Sequence, residues 1–306
     1  MKFGLCMIVK DEEDTIAGCL DAVLDACADV VVVDTGSTDR TPQILKQRYG
    51  ITPLMLPLDP TLCHSKAPAR NLAFGRVAAP WILCLDADEQ ITGDGLTHIA
   101  ALPEDAGPAG YFCAWNTYRN GAVIEDYKLP LFRKGLLSSG RVHENMQAAM
   151  RKAGLEAVWL DGVAISHRPD PRKEGFKHTF YKQRLLCAIE HDATWHRYYW
   201  FLGHKLYREG DVEAAIGRLK MAADSDSRHF PVESLNSRML LAEIYAQRGE
   251  RGQVAHVLAG ARRFFSEVAD DFEVKVNFRF GPWLTRAETL AAAGDLQQLE
   301  AYPFPY

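Results

Sequence analysis

Trp81-Ile82-Leu83-Cys84-Leu85-Asp86-Ala87-Asp88-Glu89 is the stretch that decides the fold. An apolar run that stops at two carboxylates one residue apart reads as a buried strand delivering acidic groups at its C-terminal end. On an extended backbone Asp86 and Asp88 leave on the same side. Hard oxygen donors so placed suit a divalent cation that keeps waters and binds phosphates, as Mg²⁺ or Mn²⁺ does. A lone D-x-D is more often a charged turn after a strand, so its neighbours have to decide.

Those neighbours lie upstream. Leu5 to Val9 reads as an apolar strand ending at Lys10-Asp11-Glu12-Glu13. Ile16, Leu20, Val23, Leu24 and Cys27 then recur at helical spacing. Val30-Val31-Val32-Val33 is β-branched and apolar on both faces, as a strand covered by helices on each side must be; it ends at Asp34-Thr35-Gly36-Ser37-Thr38-Asp39. A helix follows, with Thr41 as N-cap, Pro42 at its first position and Gly50 closing it. Leu54 to Leu58 reads as a weaker strand and Ala69 to Val77 as a short helix before the D-x-D strand. Alternation of this kind gives a parallel sheet whose ligands sit beyond the carboxyl ends of its strands. Both acidic clusters and the D-x-D fall at such ends.

The second half has another grammar. After the polar, proline-bearing segment from His167 to Lys173, helical patterns dominate and repeat. Leu202-Gly203…Leu206…Gly210-Asp211…Ala215…Leu219…Ala222 returns as Leu241-Ala242…Tyr245…Gly249-Glu250…Val254…Leu258…Ala261. It returns again, frayed, as Ala287…Leu290…Gly294-Asp295…Leu299. The turn glycines are 39 and 45 residues apart, looser than the ~34 of an ideal tetratricopeptide repeat, but the offsets inside each copy hold. Helix pairs of this sort stack because none buries its apolar face alone. The expected division is residues 1–170, α/β, and 171–306, helical and TPR-like. The aromatic-rich histidines His191, His196 and His204 read as packing of the first repeat.

Bulk properties exclude several classes. A chain of 306 residues with 47% apolar and 25% charged residues is long enough for two ordinary globular domains. Its net charge of −5 argues against nucleic-acid binding. No apolar run reaches the ~18 residues that span a bilayer, so no integral membrane segment is expected. The seven cysteines show no C-x-x-C pairing and several fall inside apolar patterns, as in a reduced, cytoplasmic protein. The apolar N-terminus lacks a cleavage region and reads as a core strand rather than a signal segment.

Four segments must be explained together: Met7-Ile8-Val9-Lys10-Asp11-Glu12-Glu13, Val33-Asp34-Thr35-Gly36-Ser37-Thr38-Asp39, Ala69-Arg70-Asn71, and Trp81-Ile82-Leu83 leading to Asp86-Ala87-Asp88-Glu89. In this order they closely resemble the family 2 glycosyltransferases of GT-A fold, over roughly residues 3 to 168. A GT-A domain followed by tetratricopeptide-like helices is also the arrangement of bacteriocin S-glycosyltransferases and of several bacterial cell-surface sugar transferases. The resemblance implies a nucleotide-sugar donor, most often UDP-linked, transfer with inversion, and Mn²⁺ or Mg²⁺. It implies donor contacts from Val9, Lys10, Glu12, Asp34, Ser37, Arg70, Asp86 and Ala87. It implies a metal site of Asp86, Asp88 and the late His167, with His143 in reserve, and a general base at Glu144 in Gly140-Arg141-Val142-His143-Glu144-Asn145.

The chemistry suits those residues. A nucleoside diphosphate leaving group concentrates negative charge, which a carboxylate-held metal and the planar fork of Arg70 neutralise. His143-Glu144 lacks a second histidine at i+4 and is no zincin motif. The acidic, glycine-free Lys10 to Glu13 segment disfavours a nucleotidyltransferase. The acceptor, a peptide, lipopolysaccharide or another glycan, has no motif of its own. The helical half is expected to present or recruit it, to bind a protein partner or to dimerise; localisation is expected in the cytoplasm or at the inner membrane face. The alternative is a non-catalytic TPR-type adaptor with a relic GT-A domain.

Overall fold

A computed structural model describes residues 1–58, 64–104 and 107–304, and the side chains among these except those of 173–179. The chain forms two compact units, Met1–Thr179 and Phe180–Phe304. The first expected domain end, residue 170, lies just before helix α6 (Pro171–His191), and the division between the units falls inside that helix.

The first unit runs β1 (Phe3–Val9), α1 (Ile16–Val23), β2 (Asp29–Asp34), α2 (Thr41–Tyr49), β3 (Leu54–Met55), α3 (Ala67–Arg76), β4 (Trp81–Cys84), β5 (Glu89–Ile91), α4 (Gly95–Ala101), β6 (Gly110–Arg119), β7 (Ala122–Arg133), α5 (Gln147–Lys152) and β8 (Ala157–His167). Its strands make one eight-stranded sheet in the order β3-β2-β1-β4-β7-β6-β8-β5. β3, β2, β1 and β4 are parallel, as the alternating pattern predicts. β1 is buried along its whole length, which is why it is apolar at successive positions rather than at alternate ones. Leu5, Met7, Leu20, Trp81 and Leu83 meet in the core between sheet and helices.

Beyond β4 the sheet turns antiparallel. β7 pairs with β4 and with β6, and the β6–β7 hairpin reverses at Asn120-Gly121, where φ is 50° and 77°. Positive φ at both turn residues is the demand of a type I′ hairpin, which Asn-Gly meets with little strain. β8 then runs parallel to β6, and β5 antiparallel to β8.

Local boundaries depart from the sequence reading in two informative places. Thr41 does not cap α2: its Oγ1 accepts from the Glu12 backbone N at 2.7 Å, so it ties the loop after β2 to the loop after β1. The strand expected over Leu54 to Leu58 closes at Met55.

In the second unit α7 (Arg197–Arg208), α8 (Val212–Asp224), α9 (Pro231–Gln247), α10 (Arg251–Glu267), α11 (Phe272–Val276) and α12 (Phe280–Ala293) follow α6. Consecutive helices α7 to α10 pack on one another, and α12 packs on α10. The repeat glycines Gly210, Gly249 and Gly294 lie at φ 83°, 72° and 77°, the left-handed turn after a helix that glycine alone adopts cheaply. Among the described residues no helix is long and apolar enough to cross a membrane.

Candidate active site

The loops that follow β1 and β2 hold each other. Asp11, at φ 54°, accepts from the Thr38 N at 2.6 Å, and its own N–H donates to Ser37 Oγ at 3.0 Å. Ser37 and Glu12, both expected donor contacts, thus also serve the loop: the Glu12 carboxylate accepts from Thr15 Oγ1 at 2.7 Å. The Val9 carbonyl accepts from the Thr35 N at 2.9 Å, and Lys10 Nζ donates to the Leu58 carbonyl at 3.3 Å. Asp34 is fully buried. Its Oδ1 accepts from the backbone N–H groups of Gly36 and Ser37 at 2.8 and 2.7 Å, while Oδ2 is buried without a hydrogen-bond partner. A carboxylate oxygen left that way is costly unless a ligand supplies a donor.

The D-x-D segment does not continue as a strand. β4 stops at Cys84, and a tight turn follows in which the Glu89 N donates to the Asp86 carbonyl at 3.0 Å. Asp86 and Asp88 therefore part company, contrary to the same-side placement expected of extended backbone. Asp86 Oδ1 receives Arg70 Nη2 at 3.1 Å, and Oδ2 lies 3.5 Å from Lys128 Nζ. Burial opposes the charge on Asp86, but Arg70, Lys128 and Lys66 hold its carboxyl well below the usual carboxylate range. Burial would likewise lower Lys128, yet Asp86 and Glu89 raise it above an ordinary lysine. Ala87 between the two carboxylates is buried.

Asp88 turns instead toward His167, whose Nε2 lies 3.4 Å from Asp88 Oδ2. Strand register makes that pair: His167 on β8 stands opposite Glu89 on β5 and opposite Thr117 on β6. His167 Nδ1 lies 3.0 Å from Thr117 Oγ1, and the ring stacks on Trp115 at 4.7 Å. A proton on Nδ1 given to Thr117 leaves the Nε2 lone pair facing Asp88, the orientation a metal-binding imidazole takes. Among the described residues no three His, Cys, Asp or Glu side chains converge on one point, so Asp86 is not gathered into the expected trio. A carboxylate and an oriented imidazole nevertheless suit a divalent cation whose other positions go to water and phosphate oxygens.

Glu144 is held from below. The Lys66 backbone N, at the N-terminus of α3, donates to Glu144 Oε1 at 2.8 Å. Its loop is pinned to the same helix by Asn71, whose side chain bonds the Ser138 carbonyl and N–H at 2.9 and 2.8 Å, and closed by Ser139 and Asn145. His143, the reserve ligand, sits in that loop at φ 52°. Ala69-Arg70-Asn71 is thereby explained: α3 carries the cation for Asp86 and the clamp for the loop of Glu144.

Glu89, Lys128, Trp115 and Thr117 escaped the sequence reading. Glu89 passes for the tail of a charged turn. The others lie on β6 and β7, whose Asn120-Gly121 turn between Tyr- and Val-bearing runs was the available signal.

A mainly parallel sheet that gathers clamped carboxylates at its strand ends, followed by a helical unit, defines a GT-A-type domain with a C-terminal all-α domain. The family model described as Glycosyl transferase family 2 matches residues 5–153, most of the α/β unit. It is 37% identical over 96 residues to a TPR repeat-containing protein of Synechococcus elongatus, covering 31% of this chain and 23% of that protein. It is 27% identical over 119 residues to the lipopolysaccharide core biosynthesis glycosyltransferase LpsC of Rhizobium meliloti, covering 39% and 42%. The chain thus spans less than half the length of these relatives. Among solved structures it is similar to S. aureus TarS 1-349 in complex with UDP, at 15% identity and TM-score 0.47, covering 91% of this chain and 93% of that one. It is also similar to glucosyl-3-phosphoglycerate synthase of Mycobacterium tuberculosis in complex with Mn²⁺ and UDP-glucose, at 15% identity and TM-score 0.40, covering 61% and 77%.

Proposed function

We propose that this chain is an inverting, divalent-metal-dependent glycosyltransferase that moves a sugar from a UDP-linked donor to a peptide or glycan acceptor. The observation that carries the reading is the Asp88–His167 pair, with only Ala87 in the chain between Asp88 and the Asp86 that Arg70 and Lys128 clamp. In this reading Asp34 Oδ2 accepts from the nucleotide, and Arg70 and Asp86 face its diphosphate and ribose. Asp88 and His167 would hold Mn²⁺ or Mg²⁺, which when bound supplies Lewis-acid stabilisation of the leaving diphosphate.

Glu144 takes the acceptor proton as the acceptor oxygen or sulfur attacks the anomeric carbon. One bond forms there, the bond to the diphosphate oxygen breaks, and its electron pair leaves with UDP. The Lys66 N–H fixes the carboxylate for that step. The helical unit is assigned to recruiting the acceptor, a protein partner or a second copy, and the whole to the cytoplasm, where nucleotide-sugars are made.

Melting of the full chain with UDP, GDP and CMP, each with and without Mn²⁺, tests the reading. A ligand at ~100 times its Kd adds about 2.7 kcal/mol to the folded state. UDP with Mn²⁺ should stabilise the wild type and fail to stabilise Asp88→Ala. Absence of any nucleotide effect would hand first place to the adaptor reading.

A further inference from the structure

Glu89 is a carboxylate that three donors engage at once, and neither the donor, the metal nor the base needs it. It is fully buried. Oε1 accepts from Lys128 Nζ at 2.7 Å and Trp115 Nε1 at 2.8 Å; Oε2 accepts from Lys128 Nζ at 2.5 Å and the Asp86 backbone N at 2.9 Å. Each of those donors leads to a site residue. Lys128 Nζ reaches on to Asp86 Oδ2 at 3.5 Å, and the Trp115 ring lies against His167 at 4.7 Å and 19°.

A buried ion pair is weak support for stability, since an apolar pair of similar volume often serves the fold as well. What an apolar pair cannot do is fix charged groups in two directions at once. With Arg70 on one oxygen of Asp86 and Lys128 on the other, that carboxylate has a single orientation. With Trp115 anchored through its N–H, the plane of the His167 ring is set, and with it the line from Nε2 to Asp88.

We propose that Glu89 and Lys128 are positioning residues that couple the two halves of the donor site, Asp86 on one side and Asp88–His167 on the other. This rests on the glycosyltransferase reading above. Lys128 also gives the site a second cation beside Arg70, so an incoming diphosphate meets positive charge from both β7 and α3.

The test is calorimetry of UDP binding to the 306-residue chain, with and without Mn²⁺, for wild type, Glu89→Gln/Lys128→Met and Trp115→Phe. The double variant removes both charges together and avoids a stranded buried ion. Trp115→Phe keeps the ring stack and removes only the N–H to Glu89. Outer-shell supports of metal sites are worth about 10–100-fold in affinity, and a loss in that range is expected for UDP with Mn²⁺ in the double variant. Trp115→Phe should lose Mn²⁺-dependent affinity while UDP alone binds as before. A merely structural pair would lower the melting temperature and leave the affinity of the folded protein untouched. Wild-type affinity in both variants overturns the proposal, and should the double variant not fold, wild-type affinity in Trp115→Phe does so alone. If the wild type binds no UDP with Mn²⁺, the glycosyltransferase reading fails first and takes this one with it.

Discussion

His167 Nε2 faces Asp88 Oδ2 across 3.4 Å although 79 residues separate them in the chain, because β8 delivers His167 directly opposite the residue after Asp88. Thr117 holds the other ring nitrogen at 3.0 Å. Asp88→Ala and His167→Ala should each abolish the Mn²⁺-dependent part of UDP stabilisation. Thr117→Val, which removes only the orienting hydroxyl, should weaken it by about tenfold. Mn²⁺ titrations followed by melting temperature check both; a Thr117→Val variant as strict as His167→Ala would show that Thr117 shapes the fold rather than the ring.

Glu144 should matter for turnover and not for donor binding. Its carboxylate rests on the Lys66 N–H at 2.8 Å, and Glu144→Gln preserves an acceptor oxygen for that bond. General-base catalysis contributes roughly 10²–10⁴-fold, so the variant should lose that much in release of UDP from a UDP-sugar and keep its affinity for UDP with Mn²⁺. Turnover near the wild-type rate would remove Glu144 from the mechanism.

The carboxylates of this site that were legible from hydropathy alone sit where an apolar strand of the parallel sheet stops, whereas Arg70 and Glu144 came from the family resemblance. Asp34, Asp86 and Asp88 could be read that way because β4 is a buried run and β2 an apolar one buried over its second half, each followed by a polar loop. His167, at the end of β8, was reached through the family resemblance. Lys128, Trp115 and Thr117 were not, because they act from the middle of strands whose register is set by pairing between distant segments, and period-2 patterns do not report register. Thr41 shows the complementary failure. Its place before Pro42 suggested a local cap, and a tertiary hydrogen bond from Glu12 claimed the hydroxyl.

Gly203 marks a close helix approach in the second unit. A Cβ there would lie 2.7 Å from Leu219 Cγ and 3.1 Å from the Leu219 backbone N, so α7 and α8 meet where no side chain fits. The same place in the next copies of the repeat is held by Ala242 and Ala287, both buried. Gly203→Ala should destabilise the protein by about 1–3 kcal/mol, the cost of overpacking a core, despite alanine's better helix propensity. Denaturant melts followed by helical circular dichroism measure it, and an unchanged or raised midpoint would contradict the close contact.

Asp86 gives the protein a pH signature. Burial raises its carboxyl, but Arg70 and Lys128 outweigh this and hold it well below the usual range. Between that folded value and the unfolded value of about 3.9 the unfolded chain binds the extra proton. The stabilisation is therefore whole above about pH 4 and drains away as the pH falls further. Asp86→Asn lacks it at every pH. The variant should melt below the wild type at neutral pH, with the gap narrowing on acidification below about pH 4; a gap that stayed constant would mean the carboxylate charge is not what Arg70 and Lys128 stabilise.

Asp34 makes the sharpest claim about the donor. Its Oδ1 already serves Gly36 and Ser37, and its Oδ2 is buried with nothing to accept from. Asp34→Asn keeps the oxygen that shapes the turn and replaces the idle oxygen with an N–H₂ donor. If a nucleotide N–H fills that position, the variant sets donor against donor. A hydrogen bond to a charged group is worth about 1.5–3 kcal/mol, so UDP affinity should fall by roughly tenfold to a hundredfold or more while the melting temperature of the ligand-free protein holds or rises. Equal UDP affinity in wild type and variant would place the nucleotide base elsewhere and leave the buried oxygen of Asp34 to solvent.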